Sequence, residues 1–286
     1  MPSMIPSWVR TPISRLRHTL AWSYQQVTFR SQALPDFIII GAMKSGTSSL
    51  FDYLGQHPQL FPSSKKEVHF FDGGLTLDVD DFAKGQAWYR AHFPPKKQMS
   101  ADSKTFEASP LYMFNPLVPK RVFNLIPKVK IIAILRNPTE RAISHYFHEK
   151  RKGNEPLSIY EALQEEENRL ESVIKVQDYK SKTFRQYSYK SRGLYKQQIE
   201  GYLNYFSWQQ ILILSSEELF SEPDSTLRRV LEFVGADPEF KIKDLEARNV
   251  ATNRSNVDPK VYDYLNNYFL PHNQALYELI EKSYDW

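Results

Sequence analysis

The sequence predicts an α/β fold of three layers, in which a mostly parallel central sheet lies between helices. Strand and helix signals alternate after Pro35, which is typical of a parallel sheet with helical crossovers. Two apolar runs, 37–41 and 131–135, have the length and the composition of strands that are buried on both faces. Each run ends in a polar turn that opens a helix, and open parallel sheets bind ligands at such strand ends.

The chain of 286 residues is 41% hydrophobic and 14% aromatic, so it can bury the core of one large domain. We expect this domain to span 35–286, after an N-terminal arm over 1–34. The formal net charge of +4 is too small to indicate nucleic-acid binding, although it suits an anionic ligand. Cysteine is absent, which excludes disulfides and thiolate metal sites.

The arm carries four arginines and no acidic residue, and its apolar residues recur at helical spacing. This pattern indicates a basic amphipathic helix, which can lie on an anionic membrane surface or pack on the domain. The sequence has no apolar run of the roughly 18 residues that span a bilayer, and the arm lacks the features of a signal peptide. We therefore expect a cytoplasmic protein, with peripheral membrane contact through the arm as a further option.

The remaining elements are predicted from short runs and from helical periodicity. Strand-like runs lie at 67–71, 104–109 and 211–214. Amphipathic or charged stretches predict helices at about 47–56, 117–126 and 139–152, within 156–180, and at 194–206, 224–234 and 258–282. Proline sets several helix ends: Pro58 stops the first helix, Pro138 starts the one at 139–152, and Pro271 breaks the last.

The turn after the first strand predicts an anion site. Its sequence is Gly41-Ala42-Met43-Lys44-Ser45-Gly46-Thr47-Ser48. Backbone N–H groups at a helix N-terminus meet a lysine and several hydroxyls there, which suits a multiply charged oxyanion. The glycine spacing is that of a nucleotide-hydrolysing P-loop, but Thr47 stands where that motif has its lysine. Lys44 lies inside the loop without a metal ligand beside it, which suits a 5′-phosphosulfate better than a magnesium-bound triphosphate.

The second strand-to-helix junction predicts another anion site. Arg136 follows the apolar run directly, and Ser144 lies eight residues on, in the second turn of the following helix. The two side chains can share a phosphate that is distinct from the one at Lys44. An ion pair between Arg136 and a nearby glutamate, Glu140 or Glu149, is the alternative. Two phosphate sites on one sheet imply a ligand with phosphate at both ends.

Several further motifs, together with these two junctions, carry a resemblance to a known family. They are Lys44-Ser45-Gly46-Thr47, the segments 66–72, 107–112, 135–146 and 192–195, and the closing segments 257–260 and 284–286. Over roughly 37–286 the chain resembles the sulfotransferases that use 3′-phosphoadenosine 5′-phosphosulfate, in particular the heparan-sulfate type. Any one motif is weak, whereas the set is specific.

The resemblance implies the ligand contacts of the site. The 5′-phosphosulfate would lie on Lys44, Ser45, Gly46, Thr47 and Ser48, the 3′-phosphate on Arg136 and Ser144, and the nucleotide along Tyr195, Asn253 and Arg254. The loop around Asn253 departs from the family's usual Lys-Gly-Arg pattern.

The resemblance also implies the chemistry. Glu67 takes the place of the family's catalytic glutamate and would accept the proton of the acceptor, while Lys44 would stabilise the leaving group. His69 would orient the acceptor or assist with the proton, since residues two apart on a strand share a face. We expect no metal and no nucleic-acid partner.

One position departs from the heparan-type pattern. Those enzymes commonly carry a lysine after the glutamate of the 107–112 segment, where this chain has Ala108. Lys66 or Lys104 could replace that cation if the fold places either one nearby. The acceptor can therefore differ from a heparan-like polysaccharide. We expect it to bear a hydroxyl or an amine, and to be a saccharide, a lipid such as a glycolipid, or a small molecule. Asp102 and Glu107 are candidate carboxylates on its side of the site.

Two other functions compete with sulfuryl transfer. A P-loop kinase or NTPase would bind ATP with magnesium, but the lysine of that motif is missing at position 47. A catalytically inactive sulfotransferase-like scaffold would bind nucleotide or partners without turnover. The presence of Lys44, Glu67, Arg136 and Ser144 argues for the enzyme.

Overall fold

The computed structural model describes residues 29–248 and 257–286. The arm before residue 29 and the predicted nucleotide contacts Asn253 and Arg254 lie outside these residues. Within the described ranges, none of the helices is both long enough and apolar enough to cross a membrane.

A parallel sheet of five strands forms the centre of the described chain. The strands are β1 (Phe37–Gly41), β2 (Leu60–Pro62), β3 (Lys104–Ala108), β4 (Lys130–Leu135) and β5 (Ile211–Ser215). Their order is β2-β3-β1-β4-β5, and every neighbouring pair is parallel. All five residues of β1 are buried, which explains why this strand reads as a continuous apolar run.

Helices follow most of the strands. They are α1 (Thr47–Leu54), α2 (Gly85–Arg90), α3 (Val118–Leu125), α4 (Pro138–Arg151), α5 (Ile159–Gln164), α6 (Glu166–Lys175), α7 (Lys182–Gln186), α8 (Tyr195–Leu203), α9 (Ser216–Ser221), α10 (Pro223–Val234) and α11 (Pro259–Ile280). Helices α1, α3, α4, α8, α10 and α11 end within three residues of their predicted ends, whereas α2, α7, α9 and strand β2 were not predicted.

Alternate residues of β1 enter two separate cores, as the two-residue period of a strand requires. Ile38 and Ile40 pack with residues of α3 and α8 on one face of the sheet. Phe37 and Ile39 pack with residues of α1 and α10 on the other face. The predicted three-layer α/β fold is therefore confirmed. A third cluster joins α4, α5 and α11.

Two predicted elements are wrong. Residues 67–71 form no strand, because Glu67 and His69 adopt left-handed backbone conformations with φ of 60° and 57°. Pro271 does not break the last helix, which runs unbroken from Pro259 to Ile280. Pro271 lies on the exposed side of α11, where solvent can satisfy the carbonyl that loses its hydrogen bond. Buried residues such as Phe269 and Leu276 hold the helix on both sides of the proline.

We expect Gly193→Ala to lower the free energy of unfolding by about 1 to 3 kcal/mol. A Cβ atom at Gly193 would lie 2.6 Å from the ring of Phe269 and 2.9 Å from Cβ of Pro138, so α4 and α11 could not keep their packing. Gly201→Ala is the control, because a Cβ there meets nothing within 4 Å and alanine favours the helix by roughly 0.5 to 1 kcal/mol. Urea unfolding measures both. Equal effects of the two substitutions would contradict the packing argument.

Candidate active site

A cleft of about 1310 Å³ opens where β1, β3 and β4 end. The carboxyl ends of parallel strands meet at one edge of a sheet, so the segments that follow them lie side by side. The predicted site residues that line this cleft are Lys44, Gly46, Thr47, Ser48, Glu67, His69, Arg136 and Ser144. Residues that are up to 100 positions apart in the sequence therefore share one cavity.

The loop after β1 has a backbone that few residues adopt. Lys44 has a φ of 72°, and Gly46, which precedes α1, has a φ of 95°. A Cβ atom at Gly46 would also lie 3.1 Å from the ring of Phe220 on α9, so a side chain there would strain the backbone and push this ring aside. The hydroxyl of Ser45 is fully buried and has no hydrogen-bond partner within the described residues. Ser45 is the one residue of the predicted contacts 44–48 that is not among the described residues lining the cleft.

Arg136 joins the two predicted anion sites. Its Nη1 atom donates a hydrogen bond of 3.1 Å to the carbonyl of Lys44. Its Nη2 atom lies 3.6 Å from Oε2 of Glu140, so the ion pair that was the alternative role for Arg136 is present as well. Ser144 lines the same cleft from the second turn of α4.

Tyr195 lies behind the site. It is almost fully buried, and it is not among the described residues that line the cleft. Its hydroxyl donates a hydrogen bond of 2.8 Å to the carbonyl of Arg136. Tyr195 therefore supports the backbone of Arg136 from behind the cleft.

Glu67, His69 and Asp72 form a chain of hydrogen bonds. Nε2 of His69 lies 3.3 Å from Oε2 of Glu67, and Nδ1 lies 2.6 Å from Oδ2 of Asp72. The ammonium of Lys66 donates to Oε1 of Glu67 at 2.7 Å. Glu67 and His69 thus meet as predicted, although the left-handed backbone, and not a strand, brings them together. The sequence interpretation missed Asp72, whose only signal was its position three residues after His69.

These contacts stabilise a negative charge on Glu67 and a positive charge on His69. Burial alone would raise the pKa of Glu67, but the hydrogen bond from His69 and the charge of Lys66 lower it to about 2. Burial alone would lower the pKa of His69, but the hydrogen bonds to Asp72 and Glu67 raise it to about 9. At neutral pH a charged imidazole therefore stands between two carboxylates.

The end of β3 does not contribute the side chains that the sequence suggested. Asp102 is exposed at the amino end of that strand, and the carboxylate of Glu107 is completely buried. Neither residue lines the cleft, so the expectation that they face an acceptor is wrong. Lys104 begins β3 at the edge opposite the cleft, whereas Lys66 lies beside Glu67. Of the two candidates, Lys66 is the one that the fold places next to Glu67, and it does not itself line the cleft.

The cleft has an excess of positive charge. Its described lining contains the basic residues Lys44, Arg136, Arg151, Lys152, Arg185, Arg192 and Arg248 and the acidic residues Glu67, Glu149 and Glu217. The pKa of His148 is lowered to about 4, first by burial and then by the charges of Lys44, Lys152 and Arg151. Burial is the largest cause of this shift, and the three cations add to it; the excess of basic residues in the lining suits a multiply charged anion. Arg151, Lys152, Arg185 and Arg248 lie outside the sequence motifs, so the sequence analysis did not identify them, whereas Arg192 belongs to the motif 192–195.

We expect the free energy of unfolding to fall as the pH rises from about 6.5 to about 9. The fold raises the pKa of His69 to about 9, above the unfolded value of about 6.5. The stabilisation is therefore complete below pH 6.5 and is lost as the pH rises through 9. Across this window the free energy of unfolding of the wild type should fall by more than about 1 kcal/mol relative to that of His69→Gln. Urea unfolding at several pH values measures the difference, and parallel pH curves would contradict this origin.

Comparison with known sequences identifies a family. The family model described as "Sulfotransferase domain" matches residues 34–268. The chain is 26% identical over 322 aligned positions to the membrane-associated sulfotransferase kil1 of Dictyostelium discoideum, covering 88% of this chain and 66% of that protein. It is 34% identical over 237 positions to the bifunctional heparan sulfate N-deacetylase/N-sulfotransferase 1 of Xenopus laevis, covering 80% of this chain and 25% of that protein.

A third relative is covered more fully. The heparan sulfate glucosamine 3-O-sulfotransferase 5 of Mus musculus is 29% identical over 278 positions, which cover 89% of this chain and 75% of that protein. The chain thus spans just under two thirds of the Dictyostelium relative and a quarter of the Xenopus relative.

Solved structures agree with the sequence comparison. The crystal structure of a sulfotransferase from Alicyclobacillus acidocaldarius superposes with a TM-score of 0.72 at 29% identity, over 88% of this chain and 98% of that one. The mouse sulfotransferase SULT7A1 complexed with PAP has a TM-score of 0.50 at 14% identity over 89% and 90% of the two chains, which is a likeness of fold. Sequence motifs, fold and family match lead to one conclusion: the chain belongs to the sulfotransferase domain family.

Proposed function

We propose that this sulfotransferase transfers a sulfuryl group from 3′-phosphoadenosine 5′-phosphosulfate to a hydroxyl or amine of an acceptor. One observation carries the proposal: the guanidinium of Arg136 donates to the carbonyl of Lys44, so the two predicted anion sites lie side by side in the cleft that also contains Glu67. A donor with phosphate groups at two positions fits such a pair of sites. The mouse sulfotransferase SULT7A1, which shares the fold, is complexed with PAP, and this supports a donor of this type.

Each part of the donor has candidate contacts. The 5′-phosphosulfate would be held by Lys44, Gly46, Thr47 and Ser48, which line the cleft, while the buried Ser45 would contribute through the backbone of the loop. The 3′-phosphate would be held by Arg136 and Ser144. The half-exposed ring of Phe220 lines the same cleft and offers an aromatic face to a purine.

The chain's own residues would move the proton and balance the charge. When bound, the donor supplies a sulfuryl group: the acceptor atom bonds to sulfur, and the bond to the 5′-phosphate breaks with its electron pair on the phosphate oxygen. Glu67 accepts the proton that the acceptor atom loses. Lys44 places positive charge next to the oxygen on which negative charge develops. Removing one preorganised donor of this kind costs about 2.7 to 4 kcal/mol in comparable oxyanion sites.

The charges around Glu67 determine when the proton moves. With a pKa of about 2, Glu67 is ionised at neutral pH and is a weak base. A weak base accepts a proton late, once the attacking oxygen has become acidic. His69, held by Asp72, keeps the carboxylate in place, and Lys66 supplies the second cation that the family places at position 108.

The acceptor is proposed to be a saccharide or a glycolipid. Two of the relatives carry heparan sulfate in their names, which supports a saccharide. The family match argues against a magnesium-dependent kinase or NTPase. Turnover with labelled donor would exclude an inactive scaffold, and a screen of saccharide, lipid and phenol acceptors with that donor tests the acceptor class.

We expect adenosine 3′,5′-bisphosphate to raise the melting temperature of the wild type and of Glu67→Gln by the same amount. The substitution removes the proposed base but leaves the two anion sites intact. Turnover with labelled donor should fall by about 10² to 10⁴ in Glu67→Gln.

Glu200→Gln is the matched control for this experiment. The Glu200 side chain is 44% exposed and pairs with Lys196, compared with 42% exposure of Glu67 beside Lys66, and it lies on α8 outside the cleft lining. This variant should keep wild-type turnover. Full activity of Glu67→Gln would remove Glu67 from its role, and no response to the bisphosphate would argue against the donor.

We expect kcat/KM for a hydroxyl acceptor not to rise between about pH 8 and pH 10. Glu67 is already ionised far below this range, because its pKa is about 2. If neutral His69 were the base, kcat/KM would instead rise through about pH 9, where the imidazole loses its proton. A steady-state pH profile separates the two residues, and a rise near pH 9 would assign the proton to His69.

A further inference from the structure

We propose that Glu107 is a positioning residue for the segment 67–71, which its buried carboxylate holds in place through the hydroxyls of Ser109 and Tyr112. This inference rests on the proposed roles of Glu67 and His69, which belong to that segment. Glu107 itself does not line the cleft, so any effect on the reaction must pass through other groups.

Three hydroxyl groups surround the carboxylate. Oε1 of Glu107 accepts hydrogen bonds from the hydroxyl of Tyr89 and, at 3.3 Å, from the hydroxyl of Tyr112. Oε2 accepts one from the hydroxyl of Ser109 at 2.9 Å. The carboxylate is completely buried at the end of β3, directly below the segment that carries Glu67.

Two of these hydroxyls also contact the backbone of the segment 67–71. The N–H of His69 donates to Oγ of Ser109 at 3.3 Å. The N–H groups of Phe70 and Phe71 donate to the hydroxyl of Tyr112 at 2.9 Å and 3.3 Å. Through Ser109 and Tyr112, the carboxylate of Glu107 is thus linked to three consecutive amides.

The direction of these hydrogen bonds is determined by chemistry. A hydroxyl has a single proton, an ionised carboxylate only accepts, and a backbone N–H only donates. The protons of Ser109 and Tyr112 must therefore point at Glu107, which leaves their oxygen lone pairs for the amides. An amide or a protonated acid in place of the carboxylate would present a proton of its own and force one hydroxyl to turn away.

The segment needs this support because its backbone is strained. Glu67 and His69 have φ of 60° and 57°, and the segment belongs to no helix or strand. Such conformations persist only where the surroundings determine them. The carbonyl of Ala108 adds one more bond by accepting from the N–H of Glu67 at 2.9 Å. The end of β3 thus holds the backbone of Glu67 and of the three residues 69–71.

The surroundings of Glu107 make its charge sensitive to pH near neutrality. Burial raises its pKa to about 7, against the hydrogen bonds from Tyr89 and Ser109 and the positive charge of His69. The other groups that face it are the phenols of Tyr112 and Tyr202, and both phenols also interact with the carboxylate of Asp72. Below pH 7 the protonated acid would weaken the hold on the segment.

Glu107→Gln tests the inference, with Thr105→Val as its matched control. Thr105 is equally buried on β3, but its hydroxyl donates to Leu34 at the far end of the strand. In Glu107→Gln, amide hydrogen exchange at 69–71 should become about tenfold faster, as expected for loss of one hydrogen bond. Turnover of labelled donor with heparan-derived oligosaccharides should fall about tenfold or more, while the affinity for adenosine 3′,5′-bisphosphate stays unchanged. The control should change neither.

The pH profile separates positioning from a general loss of stability. Wild-type kcat should fall below about pH 7, and Glu107→Gln should lack this acidic limb. Unchanged exchange at 69–71, unchanged kcat or an unchanged acidic limb in Glu107→Gln would each overturn the inference.

A second variant, Ser109→Ala, provides a test in case Glu107→Gln does not fold. Ser109→Ala cuts the link to His69 alone, so it should speed exchange at residue 69 and leave residues 70 and 71 protected. Equal exchange at residue 69 in this variant and the wild type would overturn the inference. Absence of wild-type turnover with every acceptor would instead refute the proposed function, and the exchange result would then still decide whether Glu107 holds the segment.

Discussion

The site depends on three adjacent parallel strands that end at one edge of the sheet. β1 lies between β3 and β4, and each strand leads directly into one part of the cleft: the loop with Lys44, the segment 107–112 and the junction at Arg136. Burial on both faces fixes the register, because a slip of one residue would move every side chain to the opposite layer. The distances within the cleft are therefore determined by the packing of the core.

Opposite charges occupy separate parts of this cleft. Lys44 and Arg136 are linked through a backbone carbonyl and present positive charge, while Glu67 keeps a negative charge against His69 and Lys66. Beneath the pair, hydroxyls connect the segment 67–71 to the buried end of β3. The proposed base is thus attached to the same sheet that positions the proposed anion sites, so donor and acceptor would be held by the same strands.

Sequence patterns identify the parts of the site that are covalently next to strong strands. Lys44 and Arg136 were predictable because each follows an apolar run within a few residues, and helices such as α4 have clear proline and polar starts. The segment 67–71 was misread, because its shape comes from hydrogen bonds to residues about 40 positions away. Its left-handed residues leave no trace in the periodicity. The buried position of Glu107 was missed because a charged residue in a short strand normally lies on an exposed face.

The left-handed backbone at Lys44, Glu67 and His69 has a consequence for how this protein can change. Each such residue costs roughly 1 to 3 kcal/mol, and glycine would relieve most of that strain. Selection for thermal resistance alone would therefore favour substitutions at the residues that the proposed chemistry needs. Stability and activity therefore compete at these three positions. A stabilised variant of this enzyme must gain its stability from substitutions elsewhere in the chain.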